Sequence, residues 1–322
     1  MLRFIHCADL HLDSPFKGMA GLDEGIAARL REAPYLALER IVTLAVREAV
    51  DFIAIAGDLW DVQEKSLAAR LRFNALMRRL AEHDIGCFYV CGNHDPLPSG
   101  DETIRLPDNV YRFGGKKVQM IPLKKNGEVI AHIYGISFAK ATETENLSLL
   151  FHRDDPAVPA IAMLHCNVGD TGYEPYAPAV LDDLVRAGMD YWALGHVHAF
   201  TVLREQHPAV VYPGCAQGRN PRETGVHGGC MVTLADDRHC TVDFLPFDSI
   251  RFAAATLDIG GMADVEAILD AAVAMARAMA ANHSGCGTIL RLTLTGRTVL
   301  DRELRGQNNQ SQIITELNAR LE

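Results

Sequence analysis

The chain has 322 residues, 48% of them hydrophobic and 22% charged, which is long enough to bury a substantial core as one large domain or two unequal ones. Its formal charge of −10 argues against a broadly basic nucleic-acid-binding surface, although carboxylates that hold divalent cations would remove part of that acidic excess. No window reads as a membrane span: the most apolar helical stretch, Met262 to Ala281, carries Asp264, Glu266, Asp270 and Arg277. The opening MLRFIHCADLH lacks an apolar h-region with a small-residue cleavage site, so the chain is expected not to be exported. Eight cysteines show no CxxC pair, and Cys7, Cys87, Cys91 and Cys166 fall in or beside apolar runs where a reduced thiol packs as a small hydrophobe. A cytoplasmic protein fits that usage.

In chain order, Leu2–Ala8 is a short apolar run, Pro34–Val50 has helical periodicity, and Phe52–Ala56 is apolar throughout. Ser66–Glu82 is again helical, with Leu67, Leu71, Leu76 and Leu80 near one stripe, and Gly86–Cys91 is a third apolar run. Wholly apolar runs joined by helices predict an α/β fold with strands buried on both faces. From Asn109 to Ser137 the pieces become shorter and strand-like, with turns at Gly114-Gly115 and Asn126-Gly127. Strands are predicted again at Ala160–Leu164, Tyr191–Leu194, Ala209–Tyr212 and Cys230–Leu234, with a helix near Ala179–Ala187.

After Arg251 the texture changes. Ala253–Ile259 is strand-like, Asp264–Asn282 is an alanine-rich helix, and Thr288–Thr295 alternates apolar and polar residues. The expected division is therefore a main domain at 1–250, a small β-α-β domain at 251–305, and a linker and helix start at 306–322. Gly306–Ser311 reads as a loop, and the amphipathic pattern of Gln312–Glu322 stops in mid-helix, as a truncated chain would.

The chemistry lies where the apolar runs end: Asp9-Leu10-His11, Gly57-Asp58-Leu59-Trp60-Asp61, Gly92-Asn93-His94-Asp95, His165-Cys166 and Gly195-His196-Val197-His198. In open α/β sheets ligands bind beyond the carboxyl ends of strands, so these five clusters should converge. Carboxylates, imidazoles and one amide oxygen without thiolate suit manganese, iron or zinc. A closely spaced pair of such ions activates water and stabilises an in-line phosphoryl displacement. A bridging ligand needs two oxygens, and Asp58 is the candidate. Any one cluster alone is more often a turn, a helix cap or a satisfied core histidine; five in one order are not.

The ordered set D-x-H, G-D-x-x-D, G-N-H-D, H and G-H-x-H resembles the calcineurin-like metallophosphoesterase superfamily. Within it, FIHCADLHLDSPF and DYWALGHVH resemble SbcD-type DNA repair nucleases, and with YPGCAQGRNPRETGVHGG most resemble their YhaO-type branch. The resemblance implies a metallophosphoesterase β-sandwich with flanking helices over residues 1–250, with 251–305 as a capping domain. It implies one metal held by Asp9, His11, Asp58 and His198, and a second by Asp58, Asn93, His165 and His196, with manganese the expected ion and iron or zinc as alternatives. His94 would contact the scissile phosphate or protonate the leaving oxygen, with Asp61 as its orienting partner. The resemblance further implies DNA as substrate, an SbcC-type coiled-coil ATPase as partner, and dimerisation.

Several neighbours stay open between two roles. Asp13 and Ser14 either line the site or cap a helix; Arg219 and Arg222 either contact phosphate or form surface ion pairs; Cys166 is expected to pack. Lys116-Lys117 and Lys124-Lys125, with Arg70, Arg72, Arg78 and Arg79, are either a DNA-facing surface or solvated faces. Three functions compete: a metal-dependent DNA nuclease, a small-molecule phosphodiesterase or phosphatase with the same metals, and a non-catalytic scaffold. The complete ligand set with His94 argues against the third.

Overall fold

The computed structural model describes residues 1–14, 24–61, 66–98, 105–283 and 285–321, apart from the side chains of residues 307 and 308. It divides into two units, Met1–Gln217 with His227–Asp248, and Gly218–Val226 with Ser249–Glu322.

In the first unit the chain runs β1 (Leu2–Cys7), α1 (Glu24–Arg47), β2 (Phe52–Ala56), α2 (Leu67–Ala81), β3 (Gly86–Val90), β4 (Val110–Arg112), β5 (Gln119–Lys125), β6 (Glu128–Gly135), β7 (Ala160–His165), α3 (Leu181–Arg186), β8 (Tyr191–Gly195), β9 (Thr201–Arg204), β10 (Ala209–Tyr212), β11 (Gly228–Leu234) and β12 (Cys240–Pro246). These strands form two six-stranded sheets, β12-β11-β1-β2-β3-β4 and β5-β6-β7-β8-β10-β9. Strands β1 to β4 are parallel, as are β6, β7, β8 and β10, while β11, β12, β5 and β9 pair antiparallel with their neighbours. Parallel strands need covered faces, and the burial supplies them. Phe4, Phe52 and Phe88 of the first sheet meet Ile133, Ile161, Met163 and Ala193 of the second in one core between the sheets. Ile5, Ile53 and Cys87 point the other way, into α1 and α2. Trp192, Leu194 and Val210 face Leu184 of α3 and Phe151. The result is a β-sandwich with helices on its outer faces.

His6 ties the two sheets together. Its Nε2 donates to the Leu194 carbonyl at 3.1 Å and its Nδ1 accepts from the Tyr191 hydroxyl at 2.9 Å. Burial lowers its pKa to about 3, so it stays neutral and structural.

Three expectations are corrected. Helix α1 runs from Glu24, upstream of Pro34, which reads in sequence as a helix start but sits inside the helix, buried beside Leu30, Ala33 and Leu38. Strands β9 and β12, which lie at sheet edges, carry polar positions that hide them from an apolar-run reading. The polar Gly306–Ser311 stretch is not a linker loop, because α6 (Gln307–Leu321) begins within it.

The second unit pairs β13 (Ile250–Asp258) with β14 (Gly287–Thr295) in parallel, joined by α4 (Val265–Ala281). Asp264 caps α4 by accepting from the Glu266 N–H. Ile268 and Ala272 of α4 pack on Leu257 and Ile259, with Leu292 and Leu317 alongside. After α5 (Asp301–Leu304), α6 returns to α4, where Arg320 pairs with Glu266, Asp270 and Glu316. No helix among the described residues is long and apolar enough to cross a membrane.

Candidate metal centre

The backbone turns sharply where the parallel strands of the first unit end. Asp9, His11 and Asp58 adopt positive φ of 51°, 45° and 47°, and His196 reaches 98°. Such conformations cost about 1–3 kcal/mol each and persist only where the surroundings fix them. Here the fixing groups are backbone hydrogen bonds: the Asp9 N–H donates to Gly57 O at 3.0 Å, and the His11 N–H to Asp58 O at 3.0 Å. Asp and His tolerate this region better than most side chains. Two glycines make the room: a Cβ on Gly57 would stand 2.1 Å from His165 Nδ1, and one on Gly92 would stand 2.3 Å from Asp58 Oδ1.

Asp9 and Asp58 are buried to 1% and 2% relative exposure, and among the described residues their charged neighbours are histidines, with no lysine or arginine paired to either. Instead the Asp9 carboxylate accepts from the His196 N–H at 3.0 Å, and Asp58 Oδ1 from the His94 N–H at 2.9 Å. His165 Nε2 lies 3.4 Å from Asp58 Oδ2, and His198 Nε2 lies 3.8 Å from Asp9 Oδ1. Burial holds the Asp9 carboxyl above its usual range in spite of His165 and His198. Burial pushes Asp58 up as well, but His165, His11 and His94, with the His94 N–H, outweigh it and bring Asp58 below that range.

The donor chemistry calls for a cation. His165 Nδ1 donates to Ala56 O at 3.0 Å, and its Nε2 faces two oxygens, Asn93 Oδ1 at 3.0 Å and Asp58 Oδ2 at 3.4 Å. His11 Nδ1 sits 3.2 Å from Asp61 Oδ1, and His11 Nε2 stands 3.3 Å from His198 Nε2. His196 Nε2 donates to Glu174 O at 2.8 Å, and burial lowers the ring's pKa to about 4, so Nδ1 carries a lone pair. Carboxylate and amide oxygens with imidazole nitrogens, converging in a buried space, are the donor set of a divalent ion, and the residues therefore fit such ions. Asp9, His11 and His198 form one group whose ligand atoms lie within 4.8 Å of one another, and Asp9, Asp58 and His165 form another.

Asp61 is only 5% exposed in its side chain, and one of its oxygens serves two imidazoles: Oδ1 is 2.9 Å from His94 Nδ1 and 3.2 Å from His11 Nδ1. Its other oxygen accepts from Ser14 Oγ at 2.7 Å. A carboxylate on Nδ1 orients the His94 ring and leaves Nε2 for proton exchange. Asp95 braces the loop from beneath, accepting from Gly92 N–H at 2.8 Å and Leu59 N–H at 3.1 Å.

All nine residues singled out in the sequence thus lie together: Asp9, His11, Asp58, Asp61, Asn93, His94, His165, His196 and His198. Of the open cases, Ser14 reaches Asp61, while Asp13 accepts from the Ser66 N–H at the start of α2. Cys166 is buried beneath the site, with burial pushing its thiol well up, as suits a packing residue. Arg219 and Arg222 belong to the second unit, where the Arg219 N–H donates to Glu223 and the Arg222 N–H to Asn220. Sequence reasoning missed Tyr173 and Tyr176, whose rings stand 5.7 and 5.6 Å from that of His196; the loop that carries them has no periodicity to mark it.

The model of the calcineurin-like phosphoesterase family matches residues 2–200, and that of the middle domain of metallophosphoesterase YhaO matches residues 252–322. The uncharacterized metallophosphoesterase YhaO of Bacillus subtilis (strain 168) is 40% identical over 80% of this chain and 63% of its own length. The DNA double-strand break repair protein Mre11 of Sulfurisphaera tokodaii is 30% identical over 63% of this chain and 50% of its own. Its counterpart in Aeropyrum pernix is 26% identical over 74% of this chain and 59% of its own. The chain thus spans between half and two thirds of the length of these relatives.

Proposed function

The chain belongs to the calcineurin-like phosphoesterase family, and on that premise we propose that it is a DNA nuclease that hydrolyses phosphodiester bonds with two divalent cations, manganese foremost. The observation that carries the proposal is the convergence of buried imidazoles and two buried carboxylates beside an oriented histidine, His94. The relatives named as DNA double-strand break repair proteins support DNA as the substrate.

In the proposed centre Asp9, His11, Asp58 and His198 hold one ion, and Asp58, Asn93, His165 and His196 the other. When bound, such ions supply Lewis-acid polarisation of the phosphoryl group and activation of a water. The chain's own residues do the rest. Asp61 holds the Nδ1 proton of His94, so that Nε2 contacts the phosphate and gives a proton to the departing oxygen. Ala56 O and Glu174 O fix the tautomers of His165 and His196. Membership of this family does not distinguish substrates, and the charge of −10 favours a second reading in which the same centre hydrolyses a small phosphoester.

The proposal extends to an SbcC-type coiled-coil ATPase and a second copy of the chain as partners, supported by the sequence resemblance. It also places the chain in the cytoplasm, which its free cysteines support, seven of them buried. Substrate class is tested by comparing hydrolysis of a bis-aryl phosphodiester and an aryl monophosphate in manganese. Preference for the diester is expected; a strong preference for the monoester would replace the nuclease by a phosphatase.

A further inference from the structure

The basic residues picked out by the sequence part company in the structure. Arg72 is paired with Glu32 and Arg79 with Glu39 on the helices, and Lys125 is paired with Asp51. Lys124 and Lys125 stand at the β5–β6 turn, where Lys125 lies opposite Glu128 at the start of β6. Because β6 runs parallel to β7, this turn is at the amino-terminal end of the sandwich, away from His165.

Lys116 and Lys117 are at the other end. They follow β4, which runs parallel to β3, and Lys140 follows β6. Their two loops are stitched to each other and to the metal-ligand loop. The Ser137 N–H donates to Gly114 O at 3.0 Å, and Gly115 packs so tightly that an added Cβ would lie 2.9 Å from Leu97 and 3.1 Å from Ala139. The Leu97 N–H donates to Phe138 O at 2.9 Å, and the Phe138 N–H to Cys91 O at 3.0 Å. The Phe138 ring in turn stands edge-on to His165 at 5.6 Å. Lys116, Lys117 and Lys140 are exposed, and among the described residues none forms an ion pair or a side-chain hydrogen bond. Two carboxylates of the flanking segments are turned onto backbone instead: Asp95 onto Gly92 and Leu59, and Glu143 onto Thr144 and Glu145.

Three unpaired ammonium groups on one bonded platform, in a chain of charge −10, are a local positive field that folding does not use. We propose that Lys116, Lys117 and Lys140 form the footing for the phosphate backbone of a polynucleotide whose scissile bond lies at the metal centre. The inference rests on the nuclease reading and sharpens it. Lysine on phosphate is a point-charge contact that reads no bases, so the footing favours a long anionic chain of any sequence over a mononucleotide. It also reconciles the acidic net charge with a nucleic-acid substrate, since the required field is confined to one edge.

The test is salt-dependent binding of a labelled DNA duplex to the full chain in manganese, with His94→Ala as the common background so that the duplex is held and not cut. Adding Lys116→Ala, Lys117→Ala and Lys140→Ala together should lower the slope of log affinity against log salt by about three and weaken binding at least roughly tenfold at low salt. Lys124→Ala with Lys125→Ala should leave both nearly unchanged. In the otherwise unsubstituted chain the triple variant should still hydrolyse the bis-aryl phosphodiester, which reports an intact fold and centre. A triple variant with unchanged slope overturns the footing and leaves the nuclease standing, as does equal weakening by the Lys124 and Lys125 pair. Absence of DNA binding in the background chain, with the dye still hydrolysed, overturns the nuclease reading and the footing with it.

Discussion

The two ends of the β-sandwich are made by the same strands and hold their charges in opposite ways. At the amino-terminal end carboxylates meet permanent cations: Asp51 takes Lys125 and the Arg3 N–H, Glu48 takes Arg3, and Asp190 takes Arg153 at 3.1 Å. At the carboxyl end Asp9 and Asp58 are surrounded by imidazoles and backbone N–H groups, on a backbone held at positive φ. The first end is what stability asks for. At the second, no permanent cation balances the buried carboxylates among the described residues, the arrangement the proposed metal pair would complete, and the strained backbone aims the side chains inward.

Substitutions at the two ends should therefore differ in kind. Asp58→Ala has the largest expected effect: the proposed ligand set would lose its one member common to both ions, so bound metal should fall from about two ions to fewer than one and turnover to background. Retention of two tightly bound ions would contradict its bridging role. His94→Ala should lower phosphodiester turnover by roughly 10²–10⁴ with metal content unchanged, read by metal analysis beside kinetics. Gly57→Ala should destabilise the fold by about 3 kcal/mol in urea unfolding, because its Cβ meets the His165 ring at positive φ. Asp61→Asn, which loosens both His11 and His94, should weaken metal affinity by roughly 10–100-fold and shift the pH–rate profile; a change in only one of these would separate its two contacts. Lys125→Ala, at the opposite end, should change stability by no more than about 0.5 kcal/mol and activity not at all. A large loss of activity there would erase the distinction between the ends.

The centre was legible because its residues sit where uninterrupted apolar runs such as Phe52–Ala56 stop, and parallel strands force those stops to one side. The ordering of Asp61 between His11 and His94 was half legible: its pairing with His94 was expected, and its contact with His11 depends on the turn at Asp9 to His11 that only the fold supplies. Pro34 misled because its ring marks helix starts, whereas here the packing of Leu30, Ala33 and Leu38 holds the helix through it. The doublets Lys116-Lys117 and Lys124-Lys125 look alike in sequence. Only strand direction sends one to the metal end and the other to Asp51.

The most direct measurement is digestion of a linear DNA duplex by the full chain in manganese, with EDTA and the His94→Ala variant alongside. The account predicts degradation that stops in EDTA and falls by at least roughly a hundredfold without His94. An intact duplex under conditions in which the bis-aryl phosphodiester is cleaved would contradict the nuclease assignment and leave a small-molecule phosphoesterase.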